Sequence, residues 1–211
     1  MWGNNSDNTA LSADPANGGI GYQPWTSTEV GGVEAGYFTG NSTQFGGGNV
    51  NSSDNLSWAL YGSKVGNSSA RAYRKLINPL EVGSSFRVKI AIRFRNGFKG
   101  AGFFANGANI FMFQAATDQY QYSTNGGTSW TNLGWDYGTG ESIFDVAAFR
   151  TGSNTHDFVV TQVNTAASVT VPVTNANVVD ELHLFVGNTD GTGNDNLYVN
   201  FISAFNPFRL L

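Results

Sequence analysis

From position 86 to position 95 apolar and polar residues take strict turns. Phe86, Val88, Ile90, Ile92 and Phe94 alternate with Arg87, Lys89, Ala91, Arg93 and Arg95. A period of two is the signature of a strand with two unlike faces, and no helix presents it. One face has to meet an apolar core, so the segment requires a second layer packed over it. The other face carries a row of four cations, Arg87, Lys89, Arg93 and Arg95.

The same signature recurs along the chain, and helical periodicity is nearly missing. The best helical candidate, 70–76, reads equally well as a strand with Ala70, Ala72, Arg74 and Leu76 on one side. Strands are expected near 36–39, 57–62, 69–76, 84–95, 100–105, 110–115, 119–123, 128–133, 142–150, 156–163, 168–173, 181–187 and 196–205. The separators are dominated by Gly and Asn, which accept positive φ and suit tight turns. Many short strands with turn signals between them predict an all-β, antiparallel two-sheet sandwich.

At 211 residues the chain fits one such domain, since all-β domains run to this length undivided. Residues 1–56 contain no Lys or Arg and few strand signals. They are expected to form a loop-rich N-terminal segment laid over the sandwich, anchored by Trp25, Tyr37, Phe38 and Phe45, so that 1–211 is a single domain. Charged residues make up 12% of the chain, about half the usual share. That low charge, with abundant Gly and Asn, suits a secreted, extracellular or cell-surface protein. The absence of cysteine excludes a disulfide scaffold. No apolar run reaches the length of a membrane span. The start lacks both a basic and an apolar leader region, so Met1 is expected to head a mature segment.

A resemblance rests on an ordered set of stretches. These are Asn17-Gly18-Gly19-Ile20-Gly21-Tyr22-Gln23-Pro24-Trp25, Ala35-Gly36-Tyr37-Phe38-Thr39-Gly40-Asn41-Ser42, Trp58-Ala59-Leu60-Tyr61-Gly62, Ala70-Arg71-Ala72-Tyr73-Arg74 and Leu80-Glu81-Val82-Gly83-Ser84-Ser85-Phe86. Their order resembles a recurrent domain of large secreted bacterial proteins, of the concanavalin A-like lectin/glucanase jelly-roll kind. The resemblance covers the first half well and the second half as a strand pattern. It implies the fold, suggests glycan binding, and carries over no catalytic residue.

Catalysis is not expected. The resembled glucanases set Glu-x-Asp-x-x-Glu on one strand, and no such motif occurs here. Retaining hydrolysis needs two carboxyl groups about 5–5.5 Å apart. Glu141 and Asp145 would share a strand face but stand about 13 Å apart. The neighbours Asp180 and Glu181 would point to opposite faces. There is no Cys and no Gly-x-Ser-x-Gly elbow, and His156 and His183 read as strand residues. Ser123-Thr124-Asn125-Gly126-Gly127-Thr128-Ser129-Trp130 resembles a single Asp-box hairpin, whose physics is that of a turn with Trp130 folded back over it.

Binding residues are easier to nominate. Exposed aromatics stack on the apolar faces of sugar rings, and amides and carboxylates take the hydroxyls. The Gly-bounded segment 130–140 offers Trp130, Trp135 and Tyr137 for stacking, with Asn132 and Asp136 for hydroxyls. The loop 188–196 packs oxygen ligands of the kind hard Ca²⁺ takes, with Asp190 and Asp195 as candidate ligands. Nine of the eleven basic residues fall within 64–99 beside a single acid, giving that window +8 and the remainder −12. The cationic row therefore has three readings: a groove for an anionic polymer, cross-strand ion pairs to acids such as Asp145 and Asp157, or an assembly interface. Nucleic acid is not expected of a chain with a net charge of −4 and no matching motif. The expectation is a non-catalytic carbohydrate-binding module of a larger extracellular protein, taking a polysaccharide or glycan. The rival is a self-associating structural or adhesive subunit of a cell-surface layer or filament.

Overall fold

The computed structural model describes residues 21–43, 48–50, 57–63, 67–92, 97–135, 142–189 and 196–206. These build two antiparallel sheets packed face to face. The first holds, in spatial order, β1 (Thr26–Val30), β4 (Ser69–Lys75), β13 (Glu181–Gly187), β6 (Phe98–Ala105), β7 (Ala108–Ala116), β8 (Gln119–Ser123) and β9 (Thr131–Asn132). The second holds β12 (Ala167–Thr174), β11 (Thr155–Gln162), β10 (Ile143–Arg150), β5 (Ser85–Ala91), β14 (Leu197–Phe205), β3 (Ser57–Gly62) and β2 (Ala35–Gly40). Seven strands stand in each sheet, and the helical content among the described residues is one 3₁₀ turn, Gly32–Glu34. This is the jelly-roll sandwich that the strand pattern and the resemblance predicted.

The alternation at β5 places its apolar set as expected. Phe86, Val88 and Ile90 are fully buried, as is Ile92 just beyond the strand, while Arg87 and Lys89 face outward. Phe94, Arg93 and Arg95 lie outside the described residues. Across the inter-sheet gap, Phe86 meets Phe103 of β6 at 5.8 Å between ring centroids, and Phe111 of β7 stacks parallel on Phe158 of β11 at 4.6 Å. Each such buried ring contributes about 1.5–3 kcal/mol by leaving water, which makes this aromatic seam a principal tie between the sheets.

Every expected segment carries a strand, with two local differences. The 128–133 segment shrinks to Thr131–Asn132 because side chains take over its hairpin. The Ser123 hydroxyl accepts the Gly127 amide at 3.0 Å, and the Asn125 side-chain oxygen accepts the Ser129 amide at 3.1 Å. These bonds hold the backbone in a turn and leave little to pair. The other difference is β1, which the pattern did not announce. All five of its residues are exposed, so this edge strand has no apolar alternation to betray it.

The N-terminal strands close both sheets. β1 pairs with β4 and β2 with β3, so residues 26–40 cross from one layer to the other. Trp25 packs tilted on Trp58 at 5.0 Å, and Trp58 stacks on Tyr37 at 5.6 Å. The Tyr37 hydroxyl donates to the carbonyls of Thr28 and Arg71, tying β2 to the opposite sheet. Trp25 and Tyr37 pack on the main core and Phe38 on a smaller cluster with Tyr198, while Phe45 is outside the described residues.

Candidate ligand-binding face

The registers of the first sheet fix which side chains share its outer face. Through β4, β13, β6, β7, β8 and β9, one row reads Arg71, Phe185, Gly100, Gln114, Gln121 and Asn132. The next reads Tyr73, His183, Gly102, Met112 and Ser123. Two glycines therefore stand side by side in mid-sheet, on a strand whose opposite face carries Lys99, Ala101 and Phe103. Between the side chains that flank them, a trough of about 520 Å³ opens to solvent. Arg71, Phe98, Phe104, Met112, Gln114, His183 and Phe185 line it.

Geometry enforces the first glycine and only crowds the second. A Cβ on Gly100 would overlap the Phe113 carbonyl oxygen of β7. One on Gly102 would stand 3.1 Å from Met112 Cγ and 3.4 Å from Phe104 Cε2, inside the trough itself.

The polar lining is unusual for a sheet exterior. Gln114 and Gln121 are only 7% and 9% exposed, yet neither side-chain amide hydrogen-bonds to a described residue. Each amide offers two donors and an acceptor. Arg71 is exposed and stands in none of the ion pairs among the described residues. The apolar wall is ordered by ring contacts. His183 lies flat on Phe104 at 3.5 Å and edge-on to Tyr73 at 4.3 Å. Burial, and secondarily the Arg71 charge, push the His183 imidazole down to about 3, so it is neutral at pH 7. Glu181 Oε1 lies 3.0 Å from its Nε2 but off the line of the ring N–H, so no hydrogen bond forms. Burial raises the Glu181 carboxyl, and Lys75 opposes that.

The nominated residues divide. Trp130 is half-buried and folds back over the 123–130 hairpin. Its ring and the Met112 sulfur both come within 4 Å of the Cβ position at Gly127, which brings Trp130 to the Met112 side of the trough. Asn132 lies on the same face, opposite Gln121, with its side-chain oxygen accepting the Gly134 amide at 2.8 Å. Trp135 goes elsewhere: it packs on the main core, parallel to Phe144 at 6.4 Å, and staples the chain after β9. Asp136 and Tyr137 lie outside the described residues, as do Asp190 and Asp195. The flanks of that last loop are held, with Thr189 donating to the Gly62 carbonyl at 2.9 Å. Among the described residues no three His, Cys, Asp or Glu side chains gather as a metal set.

Arg87 and Lys89 lie across the sandwich from the trough, on the exterior of the second sheet, so these two cannot share a site with Trp130 and Asn132. Arg87 bridges to Asp145 of β10, with Nε 3.3 Å from Oδ1. Lys89 sits over the Phe201 ring at 5.2 Å. Arg87 thus makes the cross-strand ion pair of the second reading, whereas Lys89 meets an aromatic ring rather than an acid. Arg93 and Arg95 are outside the described residues. Asp180 corrects the geometry expected of its neighbour pair. It precedes β13, and its carboxylate turns to Lys75 at 3.4 Å, on the face that carries Glu181.

The trough's own residues escaped the sequence reading. Arg71, Gln114, Gln121, Gly100 and Gly102 share a face only once strand order is known. The available signals were two glycines spaced by two within a strand, and single glutamines interrupting Phe113-Gln114-Ala115 and Tyr120-Gln121-Tyr122.

No family model matches the chain, and no curated protein matches its sequence. The solved structures that match include the following three. The exoplasmic/lumenal domain of VIP36, in its Ca²⁺/Man3GlcNAc-bound form, has a TM-score of 0.48 and 9% identity, covering 86% of this chain and 84% of that one. The CBM2 module of the evolved Dit of Lactobacillus casei BL23 phage J-1 has 0.44 and 11%, covering 83% and 90%. Toad ovary galectin in complex with N-acetylgalactose has 0.42 and 12%, covering 60% and 92%. At these identities the likeness is one of fold.

Proposed function

We propose that the chain binds a carbohydrate along the outer face of the first sheet, without turning it over. The observation that carries this reading is a solvent-open trough walled by Phe98, Phe104, Met112 and Phe185, with the Gln114 amide in its lining and the Gln121 amide in register beside it, neither bonded to a described residue. Amides that no described residue engages are free to exchange water for a ligand, and each such hydrogen bond contributes about 0.5–1.5 kcal/mol net. Sugar hydroxyls make such bonds, while their CH faces rest on Phe98, Phe104, Met112, Phe185 and Trp130. Stacking of this kind needs apolar walls with a few polar groups between them, which is the composition of the trough.

Absence of catalysis is part of the proposal. Among the described residues Asp145 is engaged by Arg87 and Asp180 by Lys75, and the carboxylate of Glu181 has no second carboxylate on its own strand to work with. The Ser123 hydroxyl is spent in its turn. An extracellular location belongs to the reading through the low charge with abundant Gly and Asn, and membership of a larger protein through the resemblance to a domain of large secreted bacterial proteins. Calcium held by Asp190 and Asp195 is its remaining part, and melting temperature measured with Ca²⁺ and with chelator tests that alone.

A glycan array probed with the folded protein tests the reading. Selective signal is expected, lost in Gln114→Ala and in Trp130→Ala and kept in Arg87→Gln. A flat array from a protein that melts cooperatively overturns it.

A further inference from the structure

We propose that the preferred ligand carries a carboxylate, as a hexuronate does, and that the Arg71 guanidinium closes on it at one wall of the trough. This rests on the glycan reading above and narrows its ligand class.

The wall opposite Arg71 is uncharged. Gln114 stands three strands away, about 14 Å at the usual strand spacing, with Gly100 and the Phe185 ring between. The other cations nearby are committed. Lys75 pairs with Asp180, and Arg74 turns inward between the Tyr22 and Trp25 rings. The nearest carboxylate on the face is Glu181, four residues along the neighbouring strand from Phe185, which faces Arg71. That separation is about 13 Å, and Glu181 already abuts His183. Arg71 is thus the one described cation of the face with no acid to answer it, in a chain whose net charge is −4. A guanidinium is a planar fork of donors that matches a carboxylate with two parallel bonds, and such charge-assisted pairs are about twice as strong as neutral ones. A neutral sugar would satisfy the glutamines and leave this fork in water.

The geometry also orders the ligand. A carboxylate at Arg71 places its own ring over the glycines, with its hydroxyls toward Gln114. The next residues then run toward Gln121 and Asn132, with Trp130 beside them.

The test compares each acidic oligosaccharide, an oligogalacturonate first, with its carboxyl-reduced counterpart, by calorimetric titration at low and high salt. The acidic form is expected to bind about tenfold more tightly, as charge-assisted bonds allow. The gap should close in Arg71→Gln and narrow with salt, and Arg87→Gln should leave it intact. Equal binding of the two forms, lost in Gln114→Ala, overturns this inference and keeps the glycan reading. Equal competition by an oligoglutamate peptide also overturns it, because charge without a sugar would then suffice. Binding of neither form by a protein with an unchanged melt overturns both.

Discussion

Gly100 and Gly102 lie on one strand and one face, and they receive the same substitution with opposite consequences. An alanine methyl at Gly100 would overlap the Phe113 carbonyl oxygen and crowd Gln114 Cα at 2.8 Å, both backbone atoms of the neighbouring strand. Relief requires β6 and β7 to part locally in mid-sheet, an overpacking cost of about 3 kcal/mol. At Gly102 the nearest atoms are Met112 Cγ and the Phe111 carbonyl oxygen, both at 3.1 Å. The methionine swings aside, and the carbonyl has to give by only a few tenths of an ångström. Alanine also restricts the unfolded chain and gains about 0.5–1 kcal/mol over glycine, so Gly102→Ala should lie within about 1 kcal/mol of the parent. For a chain of this size each kcal/mol moves Tm by about 2–4 °C. Gly100→Ala should therefore lower it by about 6–12 °C and Gly102→Ala by less than about 4 °C. Ligand affinity should follow the reverse order: the Gly102 methyl protrudes where a sugar ring would lie, and loss of affinity without loss of Tm is expected there alone. Scanning calorimetry and glycan titration on the two variants decide it. Equal Tm shifts, or a folded Gly102→Ala that binds normally, would refute the trough as the contact surface.

Other outcomes follow from the same geometry. Trp130 stands at the trough and Trp135 against Phe144, so ligand should perturb tryptophan fluorescence in the parent and in Trp135→Phe but not in Trp130→Phe. Trp135→Ala should instead destabilise by about 2 kcal/mol in denaturant titration, as a partly buried staple lost from the core. Arg87→Gln, which breaks a half-exposed ion pair, should cost no more than about 1 kcal/mol and leave binding unchanged. His183 is held at about 3 against 6.5 when unfolded, so the unfolded chain takes the proton first. The stability this gives is complete above pH 6.5 and is lost as pH falls toward 3. Between pH 7 and pH 5 the parent should lose more stability than His183→Gln, by no more than about 2 kcal/mol in urea unfolding. Identical pH profiles would place His183 in water.

Strands were legible because each states its own two faces. Phe86, Val88 and Ile90 need a core whichever strand lies beside them, and the Gly and Asn residues that end each run act locally. What failed was also local. β1 has no buried face, so its sequence carries no period, and the hairpin before β9 is governed by side-chain bonds to Ser123 and Asn125 that compete with strand pairing.

The site was less legible for a different reason. Period two tells which side of its own strand a residue occupies, but not which strands are neighbours. Arg71 and Gln114 are 43 positions apart in sequence, and they share a face only because β13, more than a hundred residues after β4, inserts between β4 and β6. The cationic row of β5 drew attention because it is contiguous, and contiguity is the property that lets a strand answer its charges on the adjacent one, as Asp145 answers Arg87. A binding face assembled across a sheet leaves isolated marks instead: a glycine where a β-branched residue is usual, a glutamine between aromatics, a lone arginine without an acid in register. Such marks gain meaning only from strand order, and here that order brings Gly100, Gln114 and Arg71 into a single row.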